Sequence, residues 1–362
     1  MTDLIHVFIG TKAQYIKTAP LLRLMDERGI AYRLIDSGQH ARISVMMREE
    51  LGVRAPDYVL GGSEDVASIP KVLLWSLKLA TRLWSRQRLC NDVFGGRGGI
   101  CVVHGDTPST FLATLLARRA GLSVAHLEAG LRSYRLTHPF PEEIVRIVTM
   151  RLASLLFAPD ATAVENLRRM RVKGRILALS GNTSLEAVRG ALGDESFPHT
   201  GPVIVTMHRV ENLHNASRVE QFVALTERIA KLYSVRFVVH EPTEIILAKR
   251  GYDDRLRAAG VEMRPLAGHS EFIRMLAAAP FAVTDGGSIQ EECALIGLPT
   301  LLWRERSERP DGLDANVVAS RYDVGIIERF LADPQALRVP TLRPTTSPSV
   351  EILQVLEESL RK

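Results

Sequence analysis

Cysteine is scarce in this chain, and Cys90, Cys101 and Cys293 are odd in number and lack the paired spacing of a metal site. A disulfide framework and a structural zinc are therefore not its organising devices, and reduced packing thiols are expected. Long apolar runs are missing too. No stretch reaches the ~20 consecutive apolar residues of a membrane span, and the start, Met1-Thr2-Asp3-Leu4-Ile5-His6-Val7-Phe8-Ile9-Gly10, carries an acid and runs straight into strand-like sequence. A cytoplasmic protein without stable membrane insertion is expected. Nor does one sign of charge dominate: 46 Lys+Arg face 41 Asp+Glu, a formal +5 over 362 residues. No basic block interleaved with aromatics argues for nucleic acid as a partner, and anionic small molecules account for the mild excess. What is present, 46% hydrophobic and 24% charged residues, is ample for two domains.

Short β-rich runs alternate with longer helical patterns. Leu4 to Ile9, Tyr32 to Ile35, Ile100 to His104 and Ser123 to Leu127 read as strands, and Ile16 to Arg28, Phe111 to Ala120 and Ile144 to Leu156 as helices. The near-continuous apolar character of the first and third strands suits a parallel sheet covered on both faces. A second series begins near residue 200, with strands at Val203 to Thr206, Val235 to His240, Phe281 to Thr284 and Thr300 to Trp303. Leu179 to Thr183 and the polar segment Gly190 to Pro202 form the best linker. The fold class is α/β: two Rossmann-like doubly wound domains, 1–180 and 183–335, facing a central cleft onto which the carboxyl ends of their strands open. Leu337 to Ser349 reads as surface coil before a last helix, 350–362. Lys71 to Trp84 carries a stripe of Leu73, Leu77, Ala80 and Trp84, which fits a core or dimer-interface helix better than a membrane-surface one.

Polar clusters stand at the predicted strand ends. In Thr284-Asp285-Gly286-Gly287-Ser288-Ile289-Gln290-Glu291-Glu292, two glycines permit a tight turn and Ser288 with Glu291 makes a capping box. Such a helix start offers N–H groups and a positive dipole end to a phosphate, although it is also ordinary turn punctuation. Asp106 and Glu128 each follow a strand. Asp106 alone reads equally as a helix cap; a second carboxylate at a second strand end is harder to explain that way. Pro141-Glu142-Glu143 opens a helix on which Glu142 and Arg146 lie four apart, so that the arginine can hold the carboxylate ionised. His208-Arg209 ends a strand of the second half and suits a phosphate ester.

Eight motifs occur in the order seen in non-hydrolysing UDP-N-acetylglucosamine 2-epimerases. They are Gly10-Thr11-Lys12 to Lys17, Ser37-Gly38-Gln39-His40, Gly105-Asp106-Thr107, His126 to Arg132, Pro139 to Arg146, Ser180-Gly181-Asn182-Thr183, His208-Arg209 to Asn212, and Thr284 to Glu292. The chain resembles that family over residues 4 to 325. The resemblance implies the GT-B fold, a homodimer, a final helix returning to the first domain, and interconversion of UDP-GlcNAc and UDP-ManNAc, a supply of sugar nucleotide for surface polysaccharide. No nicotinamide or metal cofactor is implied. The family eliminates UDP across C1 and C2 to give 2-acetamidoglucal, then adds UDP back with a proton delivered to the opposite face of C2. By resemblance, Asp106, Glu128 and Glu142 form the acid/base set, Arg146 orients Glu142, and Lys17 and His208 stabilise the leaving group. Gly287 and Ser288 are implied to hold the diphosphate and Glu292 the ribose, with Lys12, Gln39, His40, Arg132, Arg209, Gly286 and Arg309 also binding substrate.

The chain departs from the family in places. The usual Gly-Thr-Arg-Pro-Glu opening is Gly10-Thr11-Lys12-Ala13-Gln14, and Asp-Ser-Gly-Gly is Asp285-Gly286-Gly287-Ser288. Met207 replaces a glycine, and His240-Glu241-Pro242-Thr243 stands where Pro-x-His is common. These positions touch nucleotide contacts, so UDP-sugars modified at C3 or C6 belong to the candidate substrates. A hydrolysing 2-epimerase that releases ManNAc and a GT-B glycosyltransferase are the alternatives. Thr107 argues against the first, where arginine is common, and three carboxylates in one domain argue against the second.

Overall fold

The computed structural model describes residues 3–38, 41–61, 85–134, 141–307, 309–342 and 346–361. Gln39, His40, the Lys71 to Trp84 stripe and the approach to Pro141 from residue 135 lie outside them. The chain divides into two compact units, 1–187 with 345–362, and 188–344.

The first unit is built on seven parallel strands: β1 (Leu4–Ile9), β2 (Tyr32–Asp36), β3 (Tyr58–Val59), β4 (Gly99–His104), β5 (Ser123–Leu127), β6 (Leu155–Ala158) and β7 (Arg175–Ala178). Their order is β3-β2-β1-β4-β5-β6-β7, with Ile5 beside Ile100 and Val102 beside Ala125. Alternate residues of each strand enter different cores. Ile5, Val7 and Ile9 pack with Leu34 and Val102 on one face, and Phe8, Ile35, Cys101 and Val103 pack on the other. Both faces are dry, which is why these strands read as continuous apolar runs rather than alternating ones.

The second unit repeats the plan with β8 (Val203–Thr206), β9 (Val235–Val239), β10 (Glu262–Pro265), β11 (Ala282–Thr284), β12 (Thr300–Leu302) and β13 (Val317–Ala319). The order is β10-β9-β8-β11-β12-β13, again parallel. Val203, Val205, Phe237 and Val283 fill one core, and Ile204, Val238 and Ala282 the other.

Two expectations are corrected. The helix expected over Ile144 to Leu156 ends at Leu152, and Leu155–Ala158 is a strand. A strand buried on both faces has no two-residue period, so its apolar run merges with that of the helix before it. A helix, Ser184–Leu192, lies between the two expected linker segments and takes in the first three residues of the second. Ala187 joins a first-unit core and Val188, Ala191 and Leu192 a second-unit core, so the units divide at 187/188 rather than at 180–183. Among the described residues no helix is long and apolar enough to cross a membrane.

Candidate active site

In each sheet the strand order reverses at the first strand, between β1 and β4 and between β8 and β11. Loops at the carboxyl ends of such strand pairs diverge to opposite faces and leave a crevice, the usual place for a ligand in open parallel sheets.

In the first unit β4 runs through Gly105, whose φ of +69° is left-handed, to Asp106. The cap of the helix Pro108–Ala120 is Thr107, whose side chain accepts the Thr110 N–H, with Pro108 in the first turn. Asp106 is therefore not the cap. Its carboxylate instead pairs with Nη2 of Arg146. His126 steadies the turn, with Nε2 at 2.8 Å from the Gly105 carbonyl. Burial depresses its pKa below the ordinary histidine value, so the ring is neutral and donates.

Glu128 follows β5 with φ +63°, an uncommon conformation for a non-glycine residue. Its Oε1 receives Lys17 Nζ at 2.6 Å and Asn182 Nδ2 at 2.7 Å, and His104 Nδ1 lies 3.9 Å from Oε2. Lys17, assigned above to a leaving group, thus serves this buried carboxylate, and Asn182, read as linker, belongs to the site. Glu142 opens the helix Glu142–Leu152 behind Pro141, a turn before Arg146. Arg146, expected to serve Glu142, engages Asp106 and, through Nη1 at 3.4 Å, Glu143. Arg132 is likewise held by Glu143, with Nε at 2.5 Å. Lys12 begins the helix Lys12–Glu27 and is half-buried. In the same turn Gln14 Oε1 accepts the N–H groups of Gly10 and Thr11, while Nε2 donates to the His104 carbonyl and to Thr107 and Thr110. The residue that looked like a departure in a nucleotide contact stitches the β1 loop to the β4 loop, and a glutamate has no N–H for the second half of that task.

In the second unit Asp285 is the hub. Its fully buried carboxylate accepts the N–H groups of His208 and Arg209 at 3.0 Å and Asn212 Nδ2 at 2.9 Å, which fixes the loop after β8 to the end of β11. His208 stacks on His240 with ring centroids 4.4 Å apart. Burial lowers its pKa more than Asp285 raises it, so the free imidazole is neutral near pH 7.

The expected capping box at Ser288 is corrected. The helix is Gly287–Ile296, its N-cap is Gly286, and no side chain caps it. The Gly286 carbonyl already accepts from the Gln290 N–H, so the helix starts before Ser288, and Glu291 turns away to Arg309 Nη1 at 2.9 Å. Neither Gly286 nor Gly287 has a positive φ. Glycine is needed at 286 for space: a Cβ there would stand 2.7 Å from Cε1 of His208. The first-turn N–H groups of Gly287 and Ser288 have no intrahelical acceptor, and with the dipole they favour an anion.

Glu292 lies beside His269, 3.2 Å from Nε2, and Arg209 Nε meets Glu211 at 2.5 Å. Gln290 ties down the loop that carries Arg309 by donating to the carbonyls of Arg309 and Asp311 and accepting from Ser307. Sequence reasoning named neither Asp285, Gln290 and Asn212 nor Gln14, Asn182 and Glu143 as site residues. Each acts on backbone or on another side chain, and spacing along the chain carries no signal for such long-range pairs.

The family model described as UDP-N-acetylglucosamine 2-epimerase matches residues 23–328. The UDP-N-acetylglucosamine 2-epimerase of Methanocaldococcus jannaschii is 27% identical over 341 residues, 87% of this chain and 87% of that protein. That of Bacillus subtilis is 28% identical over 320 residues, 85% of this chain and 80% of that protein. The crystal structure of the M. jannaschii enzyme in complex with UDP-GlcNAc and UDP superposes with a TM-score of 0.81 at 26% identity, covering 98% of this chain and 99% of that one. The two parallel sheets with flanking helices are those of the GT-B class. The chain belongs to the UDP-N-acetylglucosamine 2-epimerase family.

Proposed function

We propose that this protein inverts C2 of UDP-GlcNAc, or of a relative modified at C3 or C6, without releasing free sugar, and so supplies a sugar nucleotide for surface polysaccharide. The observation that carries this reading is the pair of carboxylates at the ends of neighbouring strands β4 and β5, each held by its own cation: Asp106 by Arg146 and Glu128 by Lys17. The hydrogen on C2 is too weakly acidic for simple abstraction and return. Elimination avoids the problem: a base takes the C2 proton, the C1–O bond breaks, and UDP departs to leave 2-acetamidoglucal. Proton delivery to the other face of C2 and attack of the UDP oxygen on C1 then complete the inversion, with nothing consumed. Such a cycle needs a base and an acid that keep separate protonation states, drawn here from Asp106, Glu128 and Glu142. His208 and the first-turn N–H groups of Gly287 and Ser288 hold the diphosphate, and Glu292 the ribose. Lys12, Arg132, Arg209, Gly286 and Arg309 are the further candidate contacts.

The test is turnover of UDP-GlcNAc in deuterated water followed at C2 by NMR. Deuterium at C2 of both epimers, still joined to UDP, is the expected result. Original hydrogen in the epimerised product would remove the elimination, and free sugar as sole product would place the enzyme in the hydrolysing class. Asp106→Asn, Glu128→Gln and Glu142→Gln should each slow exchange by about a hundredfold or more, with UDP affinity nearly unchanged.

A further inference from the structure

Glu143 takes no part in the steps above, yet its carboxylate is fully buried in the first unit's site. It occupies the first turn of the helix Glu142–Leu152, where the dipole favours an anion. Oε1 accepts from Arg132 Nε at 2.5 Å, and Oε2 accepts the Ser133 N–H at 2.9 Å and faces Arg146 Nη1 at 3.4 Å. The other terminal nitrogen of Arg146 meets Asp106. Burial would raise the Glu143 carboxyl, but the Ser133 N–H and the two guanidinium groups hold it below the usual carboxylate range. Two cations and one backbone N–H thus converge on one carboxylate.

The loop after β5 needs that anchor. Glu128 (φ +63°), Gly130 (φ +99°) and Tyr134 (φ +57°) are all left-handed, a conformation that is unfavourable for the two residues with a side chain. Asn166 supports the loop from one direction, donating to the Gly130 carbonyl at 2.9 Å. Glu143 takes the backbone of Ser133 and the side chain of Arg132.

We propose that Glu143 is a positioning residue that serves two of the carboxylates at once, turning Arg146 towards Asp106 and pinning the loop that carries Glu128. This rests on the reading of Asp106 and Glu128 as part of the acid/base set. Glutamine at 143 accepts through one oxygen only and turns an NH2 group towards a guanidinium, whereas aspartate keeps the charge on a stem one methylene shorter.

The experiment uses full-length Glu143→Gln, Glu143→Asp and Glu143→Ala. For Glu143→Gln, kcat for C2 exchange should fall about ten- to a hundredfold, the range found when groups that orient metal ligands are removed. UDP affinity should stay near wild type and KM should change less than kcat, while the thermal transition falls because two buried guanidinium groups lose their charged partner. Glu143→Asp should recover part of the loss, and formate should restore part of the activity of Glu143→Ala if that variant folds. Wild-type kcat in Glu143→Gln overturns the proposal. A crystal structure of Glu143→Gln decides independently of activity: Arg146 turned from Asp106, or a displaced 130–134 loop, supports it, and an unchanged arrangement overturns it. If wild-type protein shows no C2 exchange at all, the proposed function fails, and that crystal structure still settles the positioning.

Discussion

An alanine at position 286 is compatible with the backbone there, φ −79°, but its Cβ would press on an imidazole already stacked against His240. Gly286→Ala should therefore leave thermal stability near wild type while moving His208, and UDP affinity measured by calorimetry should fall. Unchanged affinity would remove His208 and the Gly286 turn from the diphosphate site. His6 offers a pH-dependent case of the same kind. Its ring is buried, edge-on to Phe94, with Nε2 at 3.1 Å from the Gly98 carbonyl, and burial lowers its pKa to about 4 from 6.5. Between those values the unfolded chain takes up a proton that the folded chain refuses, so stability rises with pH through that window and is fully present above 6.5. The effect is about 3 kcal/mol at most, at 1.36 kcal/mol per pKa unit. Urea unfolding at pH 5 and pH 7 should show a smaller difference for His6→Gln than for wild type; equal differences would mean that His6 is not the titrating group.

Elements were legible in proportion to how far their own residues determine them. β1, β5 and β8 match the strands read from sequence residue for residue, because each is a compact apolar run between turn residues. β3, β6, β7, β10 and β13 were not found. β7 is half-exposed, and β10, Glu262–Pro265, carries two charged residues and a proline at the edge of its sheet, so neither propensity nor period marks it. The site shows the same division. Asp106, Glu128 and Arg146 were singled out through motif order, whereas Glu186, which lies outside the candidate site, was not, since its partners are more than 160 residues away. That carboxylate accepts the Ser349 N–H at 3.1 Å and the hydroxyls of Ser347 and Ser349, capping the helix Pro348–Leu360 from outside. Glu186→Gln should cost about 1–3 kcal/mol, the scale of a hydrogen bond to a charged group, and amide exchange at 349–352 should speed up first. Unaltered exchange there would show that apolar packing alone holds the helix.

At the scale of the molecule, the chain builds the second unit and then returns to complete the first. Ile352, Leu353 and Leu356 of the final helix are each fully buried in the core that also contains Ile5, Leu21 and Leu22. The second unit has its own cores, one centred on Phe222, Phe237 and Trp303 with their rings in edge contact. Separate cores imply separable unfolding. Leu356→Ala should lower the stability of the first unit by about 2–5 kcal/mol, the range for a buried leucine that leaves a cavity, while amide exchange in β8, β9 and β11 stays at its wild-type rate. Phe222→Ala should do the converse, loosening those strands and sparing β1, β4 and β5. Exchange that accelerates in both sheets for either substitution would mean that the molecule opens as one cooperative body, and residue 356 would then report on global stability instead of on the unit it completes.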